Sequence, residues 1–92
     1  MTDLPPDQES LLEFPCNFPI KVMGRAGEDF VAVVAEIVRR HSPGLESEQI
    51  STRLSRDGNF VAVTFTIVAE SRGQLDTLYE ELSAHERILM AL

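Results

Sequence analysis

One segment constrains the fold of this chain more than any other: Phe60-Val61-Ala62-Val63-Thr64-Phe65-Thr66-Ile67-Val68-Ala69. Ten β-branched, aromatic and small residues with no charge, glycine or proline favour an extended strand. Successive strand side chains point to opposite faces, so Val61, Val63, Phe65 and Ile67 should face a core. Phe60, Ala62, Thr64, Thr66 and Val68 should face the other way. Upstream, Arg56-Asp57-Gly58-Asn59 holds an Asp-Gly pair, a hairpin signal because glycine readily takes positive φ. A partner strand is therefore expected before it, where Ile50, Thr52 and Leu54 alternate with Ser51, Arg53 and Ser55.

Three more elements flank this hairpin. Phe18, Ile20 and Val22 alternate with Pro19, Lys21 and Met23, the period of a half-buried strand. Gly24-Arg25-Ala26-Gly27 breaks that pattern and reads as a loop. From Glu28 the period becomes helical: Phe30, Val33, Val34, Ile37, Val38 and His41 form one stripe. Glu28 and Asp29 fall in the expected first turn and Arg39, Arg40 and His41 in the last, as the helix dipole favours. The valines make a strand the rival reading, but length and end charges favour the helix. Ser71 and Gln74 match a capping box ahead of a stripe of Leu75, Leu78, Tyr79 and Leu82 that ends near Ser83. Arg87 to Leu92 reads as a last short strand.

The order β-α-β-β-α-β predicts an α+β, ferredoxin-like sandwich. Right-handed crossovers place the first and third strands at the centre of a four-stranded antiparallel sheet, with both helices on one face. The other face is then uncovered, and Lys21, Met23, Arg53, Phe60, Ala62, Thr64, Thr66 and Val68 are expected on it. That set is too apolar for indifferent exposure, so association of two copies there, as a homodimer, is expected. Its edge strands could also accept a partner strand.

Composition narrows the function classes. The 92 residues suit one domain, with 15 acidic and 8 basic side chains and a net charge of −7. Four of the acids, Asp3, Asp7, Glu9 and Glu13, lie in the first fourteen positions with no base among them. Together with Pro5 and Pro6 they make residues 1–10 read as a disordered acidic tail, and residues 11–92 as the folded domain. Leu11-Leu12-Glu13-Phe14-Pro15 should pack as a short clasp. The tail lacks the basic start and apolar stretch of a signal peptide, and no run is long enough to span a bilayer. Cys16 is the single cysteine, so no internal disulfide forms and a cytoplasmic protein is expected. No membrane partner and no cofactor are expected.

The candidate sites are few. Gly24, Arg25 and Gly27 lie between a strand and a helix start, where backbone N–H groups and a guanidinium could hold a carboxylate or phosphate. Against that, two glycines also serve simply to turn a chain, Glu28 and Asp29 would repel an anion, and no dinucleotide or phosphate-loop motif is present. The open-face residues Met23, Arg53, Phe60, Thr64, Thr66 and Val68 form a candidate interaction surface. RNA-recognition modules share this strand order, but here Gly58 and Val63 stand where base-stacking aromatics belong, so nucleic acid is not an expected partner. His41 and His85 lack partners at metal spacing and read as structural. Glu80 and Glu81 read as a solvated helix face. Cys16 beside Pro15 reads as a small, partly buried residue. Neither a nucleophile with its base nor a metal cluster is marked, so the chain does not read as an enzyme.

Several segments in order, Leu12-Glu13-Phe14-Pro15, Phe18-Pro19-Ile20-Lys21-Val22-Met23-Gly24, Gly58-Asn59-Phe60 and Thr77-Leu78-Tyr79-Glu80-Glu81-Leu82, resemble the small bacterial YbeD family. The resemblance spans about residues 11–92. It implies a ferredoxin-like fold similar to ACT regulatory domains, which bind small ligands, often amino acids, at subunit interfaces. It also implies a regulatory role, for which a tie to lipoate metabolism has been suggested, and it carries over no catalytic residues. Two expectations follow: a small-ligand sensor using the Gly24–Gly27 loop, or a protein-interaction module using the open face or an edge strand.

Overall fold

The computed structural model describes residues 13–92. The acidic tail of residues 1–10, and Leu11 and Leu12 of the clasp, lie outside the described residues. The elements run β1 (Cys16–Arg25), α1 (Phe30–His41), a single 3-10 turn (Ser47–Gln49), β2 (Ile50–Leu54), β3 (Phe60–Ala69), α2 (Arg72–Ala84) and β4 (Ile88–Ala91). The sheet order is β2-β3-β1-β4, all neighbours antiparallel. This is the expected ferredoxin-like α+β arrangement, with the two longest strands at the centre.

β1 and β3 pair over their full ten residues, from Cys16 opposite Ala69 to Arg25 opposite Phe60. Alternation places Ile20, Val22, Val63, Phe65 and Ile67 inside, essentially inaccessible to solvent. Phe30, Val34, Ile37 and Val38 of α1 and Leu75, Leu78 and Leu82 of α2 close over them. Each such fully buried side chain contributes roughly 1.5–3 kcal/mol. Phe14, the described end of the clasp, and Cys16 are half-buried against this core.

Several local readings are corrected. β1 does not stop at Met23: Gly24 and Arg25 are its last two residues. Gly24 stays in the strand because the ring of Phe30 occupies the place of its side chain. A Cβ there would sit 2.5 Å from two Phe30 ring carbons and 2.7 Å from the Arg87 carbonyl oxygen. Helix α1 starts at Phe30, so Glu28 precedes it and Asp29 is its N-cap, without a side-chain capping bond. At α2, Ser71 Oγ accepts from the Gln74 amide at 3.1 Å as expected. Gln74 Oε1, however, accepts from Glu70 N at 2.6 Å, one residue outside the expected capping box. Gln74 Nε2 also donates to His41 O at 2.7 Å, so this side chain joins the start of α2 to the end of α1.

The hairpin connection is longer than the two residues an Asp-Gly pair suggests. It spans residues 55–59, with Gly58 at φ 77° and Asp57 Oδ1 accepting from Ser55 Oγ at 2.8 Å and Asn59 N at 3.1 Å. Those bonds hold the Asp57 carboxyl below its usual range, the Asn59 amide contributing most. β2 alternates as expected but buries little: Ile50 is half-buried, while Thr52 and Leu54 are exposed. The helices pack chiefly over β1, β3 and β4, and this edge strand overhangs them.

Gly24→Ala should cost about 1–3 kcal/mol, because the added methyl must displace an aromatic ring and a backbone carbonyl. Urea unfolding of the two proteins measures this; equal midpoints would show that Phe30 and β4 yield freely.

Candidate functional site: the open sheet face

Strand register determines which side chains share the uncovered face, since directly paired residues lie on one side of a sheet. Met23 and Arg53 both pair with Ala62, Lys21 and Ser51 with Thr64, and Arg25 with Phe60. Thr66 pairs with Pro19 and Val68 with Asn17. The structure therefore brings Met23, Arg53, Phe60, Thr64, Thr66 and Val68 onto one continuous face. β4 extends it: Met90 pairs with Met23, and Leu92 exchanges two backbone bonds with Lys21, at 3.1 and 2.8 Å. Between the Met23–Met90 and Gly24–Ile88 pairs the register skips Leu89, which is left unpaired and 60% exposed. Phe60, Val68, Met90 and Leu92 are likewise among the exposed large apolar residues.

A shallow groove of about 160 Å³ crosses this face, lined by Met23, Arg53, Leu54, Ser55, Phe60, Val61 and Ala62. At one end the Arg25 guanidinium lies 5.6 Å from the Phe60 ring centroid, a cation–π contact. Phe60 is thus a partly covered platform, 37% exposed.

The glycine-loop candidates do not converge on one point. Gly24 faces the helices, and Arg25, its neighbour in an extended strand, faces the open side. Gly27 lies in the connection, and a Cβ there would meet Arg87 Nη2 at 3.3 Å. At the start of α1, Asp29 and Arg87 form a two-point ion pair of 2.9 and 3.1 Å, and Arg87 sits 5.8 Å from the centroid of Phe30. The Arg87 contact holds the Asp29 carboxyl below its usual range. Beside this pair a recess of about 360 Å³ is lined by Arg25, Ala26, Glu86, Arg87 and Leu89. Sequence reasoning passed over Arg87, Leu89, Met90 and Leu92. Alternation in the last strand signals Met90 and Leu92, whereas nothing local signals a partnership between residues 29 and 87 or the skipped Leu89.

On the opposite side of the molecule, Glu81 is not the free surface acid the sequence suggests. It accepts from His41 Nε2 at 2.7 Å and pairs with Arg40, clasping the end of α1 to α2. The His41 bond, followed by the charge of Arg40, holds the Glu81 carboxyl below its usual range. His85 Nδ1 accepts from the Arg87 amide at 3.2 Å, a local turn contact. Near the helix clasp a third recess, about 310 Å³, is lined by residues including His41, Ser42, Leu45, Glu70 and Gln74. Among the described residues no group of three or more His, Cys, Asp or Glu could hold a metal, and no helix is long and apolar enough to cross a membrane.

These features define the chain as a ferredoxin-like α+β domain with an apolar, uncovered sheet face. The family profile described as "Protein of unknown function (DUF493)" matches residues 9–92. The chain is 42% identical to a UPF0250 protein of Chromobacterium violaceum over 86 residues, 94% of this chain and 97% of that one. It is 41% identical to a UPF0250 protein of Bordetella pertussis over 92 residues, the whole of both chains. A UPF0250 protein of Nitrosomonas europaea is 42% identical over 85 residues, covering 92% and 98% of the two chains. The chain belongs to this family of unknown function, the YbeD family.

A carboxylate whose acidity is raised by folding stabilises the fold above its ordinary range and loses that contribution as pH falls through its lowered value. Glu81→Gln should therefore lower the melting temperature at pH 7, with the difference from wild type beginning to shrink as pH drops below about 4, the ordinary glutamate value, and disappearing once pH passes below the lowered value of Glu81. A pH series of thermal melts checks this; a difference that persists undiminished at pH 3 would show that the charge of Glu81 is not what clasps the helices.

Proposed function

We propose that the protein is a non-enzymatic regulatory module that works by docking a protein partner on its open sheet face. The observation that carries this reading is the face itself: Phe60, Met90, Leu92 and Val68 are solvent-exposed on one side of a sheet whose other side is packed against the helices over β1, β3 and β4. Contiguous exposed apolar surface of this kind marks interaction sites more often than idle surface. The face is nearly flat, and its groove is too shallow to enclose a small molecule, which suits a macromolecular partner. Strands hold Phe60, Val68 and Met90, so docking on them costs little ordering.

Affinity capture from lysate tests the reading by comparing wild type with Phe60→Glu. Recovery of the specific partner should fall at least about fivefold, because a charge put in place of the one exposed aromatic ring of a docking face is strongly unfavourable. Thermal stability should change little, since Phe60 is already partly exposed. Equal recovery by the two proteins would overturn the assignment of this face.

A second reading, an ACT-like sensor of a small ligand with a tie to lipoate metabolism, is favoured by one observation. The recess of about 360 Å³ beside Arg25 and Arg87 presents the Arg25 guanidinium and the apolar Leu89, with Arg87 already held by Asp29 and the Glu86 carboxylate also in its lining. A carboxylate with a short apolar body fits that chemistry. A melting screen over amino acids, lipoate and related acids should then give a rise of about 5 °C at saturating ligand, lost in Arg25→Ala. An unmoved melting temperature across the whole panel would remove the sensor reading.

A further inference from the structure

We propose that the occupant of the open face is a protein segment that is acidic and carries apolar side chains between its acids. The inference rests on the docking reading above and adds the chemistry of the partner.

It follows from where the charges lie. The four strands contain no Asp or Glu at all; their charged residues are Lys21, Arg25 and Arg53. Register places all three on the open face, opposite Thr64, Phe60 and Ala62 respectively. All of the described acids lie on the helices, the connections and the segment before β1. In a chain with net charge −7, an open face whose only charged side chains among the described residues are positive is the reverse of what composition alone would distribute.

None of the three cations meets a carboxylate among the described residues. The ion pairs there engage Arg40, His41, Arg72 and Arg87 with acids away from the open face. Arg25 lies over the Phe60 ring, 5.6 Å from its centroid. The cations surround an apolar centre: Lys21 and Arg25 are about 13 Å apart along β1, and Arg53 lies two strands across, about 10 Å away. Met23 and Ala62 fill the space between, and Phe60 lies beside Arg25 at the end of β3. A complementary surface therefore has carboxylates at its margin and apolar groups at its middle, which is the pattern electrostatic steering and hydrophobic docking share.

The same charges argue against other occupants. Two copies meeting face to face would oppose like charges across a two-fold axis, with no strand carboxylate to relieve them. Single-stranded nucleic acid needs several stacking aromatics, whereas Phe60 is the one aromatic ring on this face and Arg25 covers part of it.

The test places photoreactive p-benzoylphenylalanine at Thr64 in the full chain and irradiates cells expressing it. The captured protein and the adducted peptide are identified by mass spectrometry, and the purified pair is then titrated. The adducted peptide should be rich in Asp and Glu with interspersed apolar residues. The Kd should rise about tenfold or more in Lys21→Glu/Arg53→Glu, and severalfold between about 50 and 300 mM NaCl. Both substituted residues are exposed, and circular dichroism of the variant should match the wild type. An adduct without excess acid, or a Kd indifferent to the charge reversal, overturns the inference while leaving the docking face in place. An adduct with a second copy, or with residues 1–12 of the same chain, whose acids are Asp3, Asp7 and Glu9, also overturns it. So does tighter binding of a fifteen-residue oligothymidylate or of phosphatidylglycerol vesicles than of the captured protein. Absence of any adduct from Thr64 overturns both this inference and the docking reading.

Discussion

The ten-residue pairing of β1 with β3 is the contact on which everything else in this molecule depends. It is antiparallel, it lies at the centre of the sheet, and it joins residues at the two ends of a long sequence separation. Side chains of both strands alternate in phase, so the register that buries Ile20, Val22, Val63, Phe65 and Ile67 also presents Lys21, Met23, Arg25, Phe60, Ala62 and Thr64 together. A shift of one residue would turn the core outward, which is why burial on the helix side fixes the composition of the open side. The candidate surface is in that sense the other half of the core.

The helical layer reinforces this arrangement at its two ends by different means. At one end, Gly24 gives up its side chain so that Phe30 can sit on the sheet, and Arg87 covers that ring while holding Asp29. At the other, Glu81 draws His41 and Arg40 toward α2, and Gln74 reaches the last carbonyl of α1. Ion pairing is thus concentrated where the helices meet each other and the ends of the strands. The open face is left with cations that make no ion pair among the described residues, and that separation of roles gives the face its functional interest.

Local pattern made most of the architecture legible. Alternation in Phe60–Ala69 and in Phe18–Met23, and the helical stripes through Val34 and Leu78, each reflect a geometry that neighbouring residues impose on one another. The open face was legible for the same reason, because the residues left over from a buried alternation must point the other way. Gly24 and Arg25 belong to the strand although Gly24 looks like a turn residue locally; its role depends on Phe30 and on the carbonyl of Arg87, a residue far along the chain. Glu81 looked solvated because its partners, Arg40 and His41, belong to another helix. The exposure of Leu54 was likewise hidden, since alternation shows which face a residue takes and not whether a helix extends over it.

The amino-acid sequence by itself determined the order and type of the elements, the inner and outer faces of each strand, and the acidic balance of the whole. These follow from periodicity and composition, which act over a few residues or over the chain as a sum. Only the tertiary structure decided that Arg25 lies on the Phe60 ring, that Arg87 joins Asp29 and Phe30, and that β4 adds Met90 and Leu92 to the face. It also decided that the sheet's three cations share one side, which carries no Asp or Glu from the strands. Those are contacts between residues distant in the chain, and they exist only once pairing and packing have brought the strands and helices together.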